Sequence, residues 1–183
     1  MSTLQVTLYR IRWFINTYRK VKPNDNLIRF EQKIMYTGIL HTHSLLRWIG
    51  LILLVITIVD SYGRIYRPLK GGNPKFHLFT LISMHLQLVI GFVLYFISPL
   101  VQGAFAAGTA MSDKVHRFYA VEHLTMMLAA IALITIGYSK AKRKEEISAK
   151  HKIIFRFYLI AFILIMLSIP WPFREVGATR GWF

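Results

Sequence analysis

Four stretches of the chain are apolar over the length that a helix needs to cross a bilayer. They run from about 40 to 62, 76 to 98, 115 to 138 and 153 to 170. Roughly 20 mostly apolar residues, rising about 1.5 Å each, span the hydrocarbon core. Gly63 ends the first stretch and KAKRKEE, at 140–146, follows the third. Because other backbone geometries leave polar groups unpaired in lipid, the pattern predicts an all-α, up-down bundle of four transmembrane helices.

Residues 1–34 differ from the rest, because they carry seven Lys and Arg residues and no continuous apolar run. We predict that Met35 is the natural start, that 35–183 form the membrane domain, and that 1–34 are a mis-assigned upstream extension. The alternative is a basic, aromatic helix on the membrane surface, LYRIRWFINTYRK at 8–20.

The formal charge of +15 comes from basic residues between the apolar runs. A nucleic-acid-binding protein would gather them on a water-exposed face, so a nucleic-acid partner is not expected. The positive-inside rule instead predicts that the connections 63–75 and 139–152 are cytoplasmic. Both termini and the 99–115 connection, which has only Lys114 as a basic residue, then face outward.

The chain has no cysteine, which excludes disulfides, iron–sulfur clusters, thiolate metal sites and covalently attached haem. Carboxylates are scarce, and no set of nucleophile, base and orienting residue can be recognised. An electron-transfer or accessory subunit is therefore expected rather than an independent enzyme.

Ionisable residues within spans are costly, so each is a functional candidate. Measured from the outer surface, His43 lies roughly 6 Å deep, His123 roughly 10–12 Å and His85 roughly 20 Å. Haem iron takes axial ligands from opposite sides, and bundle cofactors are held by side chains on facing helices. His43 and His123 match best in depth as a haem pair, and His85 is the alternative ligand. His41 and His77 are expected to be interfacial residues.

Three further expectations concern the surroundings of this pair. His116 and His123 are seven apart and should share a stripe of the third helix. Arg47 and Glu122 lie at similar depths and should form an ion pair. Gly91 lacks a side chain and could admit a porphyrin edge.

Four segments carry a resemblance: MYTGILHTHSLLRW, HLQLVIGFVLYFISP, RFYAVEHLTMMLAAIALITIGYSKAKR and SIPWPFR. They resemble a family of small four-span membrane proteins of Bacteroidetes-type bacteria, commonly labelled cytochrome B-like, from about Met35 onward. The resemblance implies haem b and electron transfer in the inner membrane. For a haem protein that carries electrons, a quinone or other respiratory-chain membrane proteins are the expected partners. The matching polar positions are His43, Arg47, His85, Glu122 and His123.

Other functions remain open. A copper-handling protein would use HTH at 41–43 with His116 and His123, although alternate residues on a helix face opposite ways. A structural subunit would need no cofactor and would tolerate substitution of the histidines. A proton or ion path through Glu122 lacks a continuous polar stripe in the inner half.

Overall fold

The computed structural model describes residues 5–8, 10–13, 25–67 and 75–178, and this part is helical, without a strand. In chain order the elements are α1 (Asp25–Tyr66), α2 (Lys75–Ile97), α3 (Pro99–Ala106), α4 (Lys114–Arg117), a π-helical turn (Phe118–Glu122), α5 (His123–Lys142), α6 (Ile147–Ser168) and a 3-10 turn (Glu175–Gly177). Four helical segments are long and apolar enough to cross a membrane: α1, α2, the combined α4 to α5, and α6. The all-α class with four transmembrane helices is confirmed.

The N-terminal part is described by itself over 5–8 and 10–13, which are helical with exposed side chains. Most of the surface helix considered for 8–20 lies outside the described residues, and the natural start at Met35 stays a prediction. The glycine–proline segment after the first span, 71–74, also lies outside them.

Helix boundaries differ from the predicted spans where the helix continues into polar sequence. α2 agrees with the predicted 76–98 to within one residue at each end. In contrast, α6 begins at Ile147 rather than 153, with a first turn and a half of sequence ISAKHK. Hydropathy detects only the part of a helix that lies in hydrocarbon, so polar turns beyond it are missed.

The bundle core lies between α1, α2, α5 and α6. Its fully buried side chains include Leu54, Ile134, Ile154, Tyr158 and Ala161. The helices α5 and α6 pack closely at Gly137 of α5, where an added Cβ would lie 2.5 Å from Phe157 Cβ of α6. Large apolar side chains such as Val59 and Phe96, 64% and 68% exposed, point outward, as expected for a surface that contacts lipid.

The 99–115 connection was predicted as a loop, but it contains α3. Pro99 occupies the first turn of α3, and Ser98 Oγ accepts the N–H of Val101, which caps the helix. Asp113 caps α4 in the same way, accepting the N–H of His116 at 2.8 Å. This hydrogen bond lowers the pKa of the Asp113 carboxyl. The connection is therefore an ordered cover over one end of the bundle, which we call the outer end.

A π-helical turn interrupts the third span just before His123. The N–H of His123 donates to Phe118 O, five residues earlier. The wider turn inserts one residue into the helical repeat, so His116 and His123 no longer share a stripe. The prediction that these two imidazoles face the same way is wrong. Single π turns in helices occur frequently at functional sites.

Candidate functional site

The first candidate site is the outer cluster, which consists of His43, Gln87, Gly91, His123 and Ser168. His43 of α1 packs against Gly91 of α2, where an added Cβ would be 3.2 Å from His43 Cε1. The amide of Gln87, one turn away from Gly91 on α2, donates to His43 O at 2.9 Å. Gly91 therefore makes room for the His43 imidazole, whereas the sequence had suggested room for a porphyrin edge.

His123 is oriented by the end of α6. Its Nδ1 lies 2.7 Å from Ser168 O, and a carbonyl can only accept, so Nδ1 carries the proton. In the neutral ring, Nε2 then carries the lone pair that a metal ion would use. Ser168 O is available because the last carbonyls of a helix have no partner within it. The Phe118 ring also packs beside the His123 ring, with 5.9 Å between the ring centroids.

His43 and His123 lie close enough in the structure to interact electrostatically. They come from α1 and α5, the first and third spans, which lie diagonally across the bundle. The sequence had matched them by depth, and the two rings do share the outer half. Their use as axial ligands stays a prediction.

Buried polar atoms without a partner gather in and beside this outer cluster. They are His43 Nδ1, Gln87 Oε1, Ser168 Oγ and, one turn deeper on α2, Ser83 Oγ, none of which has a hydrogen bond within the described ranges. Most buried polar groups in proteins are paired, because an unpaired one costs about 1–3 kcal/mol. Their concentration in one place indicates a site where another polar molecule can be received.

His85 does not join the outer cluster. Its side chain is exposed, with Nδ1 2.8 Å from Leu81 O of its own helix and Nε2 3.5 Å from Thr135 Oγ1. Thr135 lies on α5 about 18 Å along the helix from His123. Residues two apart face opposite sides of a helix, so the inward positions Ser83 and Gln87 place His85 outside. The alternative of His85 as a second ligand to His123 is therefore not supported by its position.

The predicted ion pair between Arg47 and Glu122 is replaced by another. Glu122 accepts a hydrogen bond from Arg117 Nε at 2.7 Å, across the π turn. The wide turn brings residues five apart onto one side, which the usual spacing of three or four would not do. Arg47 lies with its guanidinium 5.4 Å from the Trp48 ring.

The histidines proposed for copper are also separated. His41 is exposed on α1, whereas His43 Nδ1 is buried. His116 Nδ1 lies 2.8 Å from Thr109 Oγ1 within the outer connection. The set of HTH with His116 and His123 is therefore not assembled as the copper interpretation required.

A second set of groups, the inner cluster, lies at the opposite end of the bundle and was not predicted. It consists of Asp60 and Ser61 of α1, His77 of α2 and His151 of α6. One donor atom from each of Asp60, His77 and His151 lies within 4.8 Å of the other two. His77 is only 2% exposed and His151 7%, so both are core residues rather than interfacial ones.

Hydrogen bonds between helices, and one ion pair within α1, hold the inner cluster in place. Ser61 Oγ lies 3.4 Å from His77 Nε2 and 3.3 Å from His151 Nδ1. Tyr158 OH donates to His77 O at 3.3 Å, and Arg64 Nε donates to both carboxylate oxygens of Asp60 at 2.9 Å. A sequence signal for His151 does exist. It precedes the buried residues Ile154, Tyr158, Ala161 and Ile165 at spacings of three or four, but the flanking Lys150 and Lys152 suggest an exposed turn.

Comparisons with family models, with curated proteins and with solved structures found no match to this chain. The resemblance to the cytochrome B-like family therefore stays a prediction.

Proposed function

We propose that the chain is a membrane haem protein that carries electrons, with His43 and His123 holding haem b in the outer half of the bundle. One observation carries the proposal. Two imidazoles from diagonal helices lie close enough to interact electrostatically, and the buried polar atoms around them have no hydrogen-bond partner within the part of the chain that the structure describes. Haem b is bound in many proteins by neutral imidazoles, which suit both of its axial positions.

The surroundings of His123 favour a ligand role. A metal-binding histidine usually donates its other ring N–H to a carbonyl or carboxylate, which fixes the tautomer and strengthens the lone pair. His123 makes this bond to Ser168 O. Its place directly after the π turn fixes the direction of the ring.

Charge in the outer half also suits haem. Arg47, on the same face of α1 as His43, could form charge-assisted hydrogen bonds with a propionate. Arg117, which pairs with Glu122, is the other candidate. The bound haem would supply one-electron redox chemistry, and the chain would supply ligation, burial and orientation.

The proposed setting is a bacterial inner membrane, with 99–115 facing the periplasm and 139–152 facing the cytoplasm. This orientation follows from the distribution of basic residues. The proposed partners are a quinone or other respiratory-chain membrane proteins. The copper alternative is less favoured because its histidines are separated, and a cofactor-free subunit remains the rival that an experiment must address.

The test is an optical spectrum of the full chain, expressed with ample haem and purified in detergent. We expect a Soret band that is lost in His43→Ala and in His123→Ala. His85→Ala is the matched control, because it removes an exposed imidazole from a neighbouring helix and should keep the band. Wild-type protein without a Soret band, or a band retained in the His43→Ala/His123→Ala double variant, would contradict the proposal and favour a cofactor-free subunit.

A further inference from the structure

We infer that Asp60, His77 and His151 form a binding site for one divalent transition-metal ion of the Zn²⁺ class, separate from the outer cluster. The three residues come from α1, α2 and α6, so the site joins three of the four spans. Asp60 Oδ2 and His77 Nε2 are 3.8 Å apart, and the two imidazole centroids are 5.0 Å apart. This inference does not depend on haem binding.

The donor set selects the metal. Two imidazole nitrogens and one carboxylate oxygen suit Zn²⁺ and similar first-row ions, whereas Mg²⁺ and Ca²⁺ prefer oxygen donors alone. Around tetrahedral Zn²⁺, with bonds of about 2.0–2.2 Å, neighbouring donor atoms are about 3.4 Å apart. The carboxylate and His77 are already close to that separation. All three donors lie within 4.8 Å, so rotation of the His151 ring could complete the site.

Neighbouring groups orient these donors as they do at known metal sites. Arg64 donates to the Asp60 carboxylate, which holds it in one orientation. Hydrogen-bonded carboxylate ligands of this kind are typical of protein metal sites. Tyr158 OH fixes the backbone of His77. Three protein donors leave a fourth position for water or an exogenous ligand.

The charged groups around the two histidines determine which ions can bind. Asp60 is the anion that acts on both imidazoles, and Arg64 and Lys150 are the cations that act on them. The ion must therefore gain more from three direct bonds than it loses to the two nearby positive charges. Weakly coordinating ions should fail this condition, which makes the site selective for ions that bind imidazole strongly.

The competing interpretation is a purely structural, hydrogen-bonded joint. In that case Ser61 is the central group, because its hydroxyl lies between the two imidazoles at 3.4 and 3.3 Å. In a metal site Ser61 is dispensable, because the ion itself holds both rings. Ser61→Ala therefore separates the two interpretations.

The experiment uses the full chain in detergent, treated with a chelator, dialysed and titrated with Co²⁺. We expect visible d–d bands with an intensity typical of a low-symmetry, four-coordinate site. These bands should saturate near one ion per chain and disappear when Zn²⁺ is added. Mg²⁺ should not displace Co²⁺. Wild-type protein without such bands overturns the inference, whatever any variant does.

Variants then assign the donors. His151→Gln and Asp60→Asn should each weaken Co²⁺ binding by more than the 10- to 100-fold that is roughly typical of losing an outer hydrogen-bond partner. His41→Gln, which removes an exposed imidazole of α1, and Ser61→Ala should keep the bands. Bands that survive in His151→Gln or Asp60→Asn, or that are lost in Ser61→Ala, contradict the assignment. Because Asp60→Asn changes few atoms, it is also informative if the histidine variant misfolds.

The two proposals can fail separately. His43→Ala should lose the Soret band and keep the Co²⁺ bands, and His151→Gln should do the reverse. Loss of both signals in either single variant would indicate a folding defect in that variant, and the wild-type titration would then decide.

Discussion

The outer and inner clusters each unite two histidines from different helices, yet they differ in how their polar atoms are satisfied. In the inner cluster, Ser61, Arg64 and Tyr158 supply hydrogen bonds to the histidines and the aspartate. In the outer cluster, His43 Nδ1 and Gln87 Oε1 are buried without a partner in the described part of the chain. In the proposed roles, the inner cluster needs only an ion in addition to its hydrogen bonds. The outer cluster has polar atoms that a larger ligand would pair. Satisfaction of buried polar groups thus distinguishes two sites of similar composition.

The largest difference in stability is expected between Gly91, which lies beside His43 of the outer cluster, and Gly137, which lies beside Tyr158, the residue that bonds the backbone of His77. At Gly137 an added Cβ would lie 2.5 Å from Phe157 Cβ, an atom that cannot move unless α6 moves. Gly137→Ala should therefore cost about 1–3 kcal/mol, measured by unfolding in mixed detergent micelles. At Gly91 the obstacle is the edge of the His43 ring, which can rotate, so Gly91→Ala should be nearly neutral for stability.

The same pair gives opposite results for haem. Gly91→Ala displaces the imidazole of His43 and should reduce haem content, whereas Gly137→Ala should leave the content of the folded fraction unchanged. Gly38→Ala is the control for both, because among the described residues no side chain and no other helix lies within 4 Å of its added Cβ. If Gly91→Ala binds haem as the wild type does, the proposal that His43 holds the haem is wrong.

A smaller contrast is expected between two buried serines. Ser61 bridges two imidazoles, and Ser61→Ala should destabilise the metal-free protein by about 0.5–1.5 kcal/mol. Ser83 Oγ has no partner among the described residues, so Ser83→Ala should be neutral or slightly stabilising. Thermal unfolding of both variants in one detergent checks this. If Ser83→Ala destabilised the protein more than Ser61→Ala, the two clusters would not differ in how their buried polar atoms are hydrogen-bonded.

The smallest effect is expected for the hydroxyl pair that adjoins the inner cluster. Thr57 Oγ1 and Thr80 Oγ1 are 2.8 Å apart between α1 and α2. A double-mutant cycle with Thr57→Val and Thr80→Val should give an interaction of about 0.6 kcal/mol, the average for such bonds between transmembrane helices. An interaction near zero would mean that this bond does not position His77, one turn away from Thr80.

The four spans could be predicted because each apolar run is long enough to cross a bilayer as a helix, and polar sequence separates one run from the next. The depth argument also placed His43 and His123 in the same half of the bundle, since helical rise fixes height along it, and their pairing as ligands stays a prediction. The side of a helix on which a residue lies was harder to predict than its depth, as the exposed position of His85 shows. In lipid both the core and the outer face of a helix are apolar, so the sequence of α2 does not reveal which side faces inward.

Two features could not be predicted for other physical reasons. The π turn, of sequence FYAVE, contains neither glycine nor proline, so no residue type marks it as a break in the helix. His151 lies between lysines, so local charge suggested an exposed turn, although α6 had already begun four residues earlier. The spacing of three from His151 to the buried Ile154 indicates the inward side of α6, but it can be recognised only once the start of the helix is known.

The π turn sets the direction in which one imidazole faces relative to the other in the third span. If the turn were a regular α-helix of the same length, the seven residues from His116 to His123 would turn by about 700°, and the two imidazoles would fall on one side. Either Thr109 or Ser168 would then lose its imidazole. Deletion of one residue from 118–122 would instead leave a six-residue spacing, which turns by about 600°. A homologous chain with such a deletion could therefore have a regular α-helix here and still keep the outer cluster.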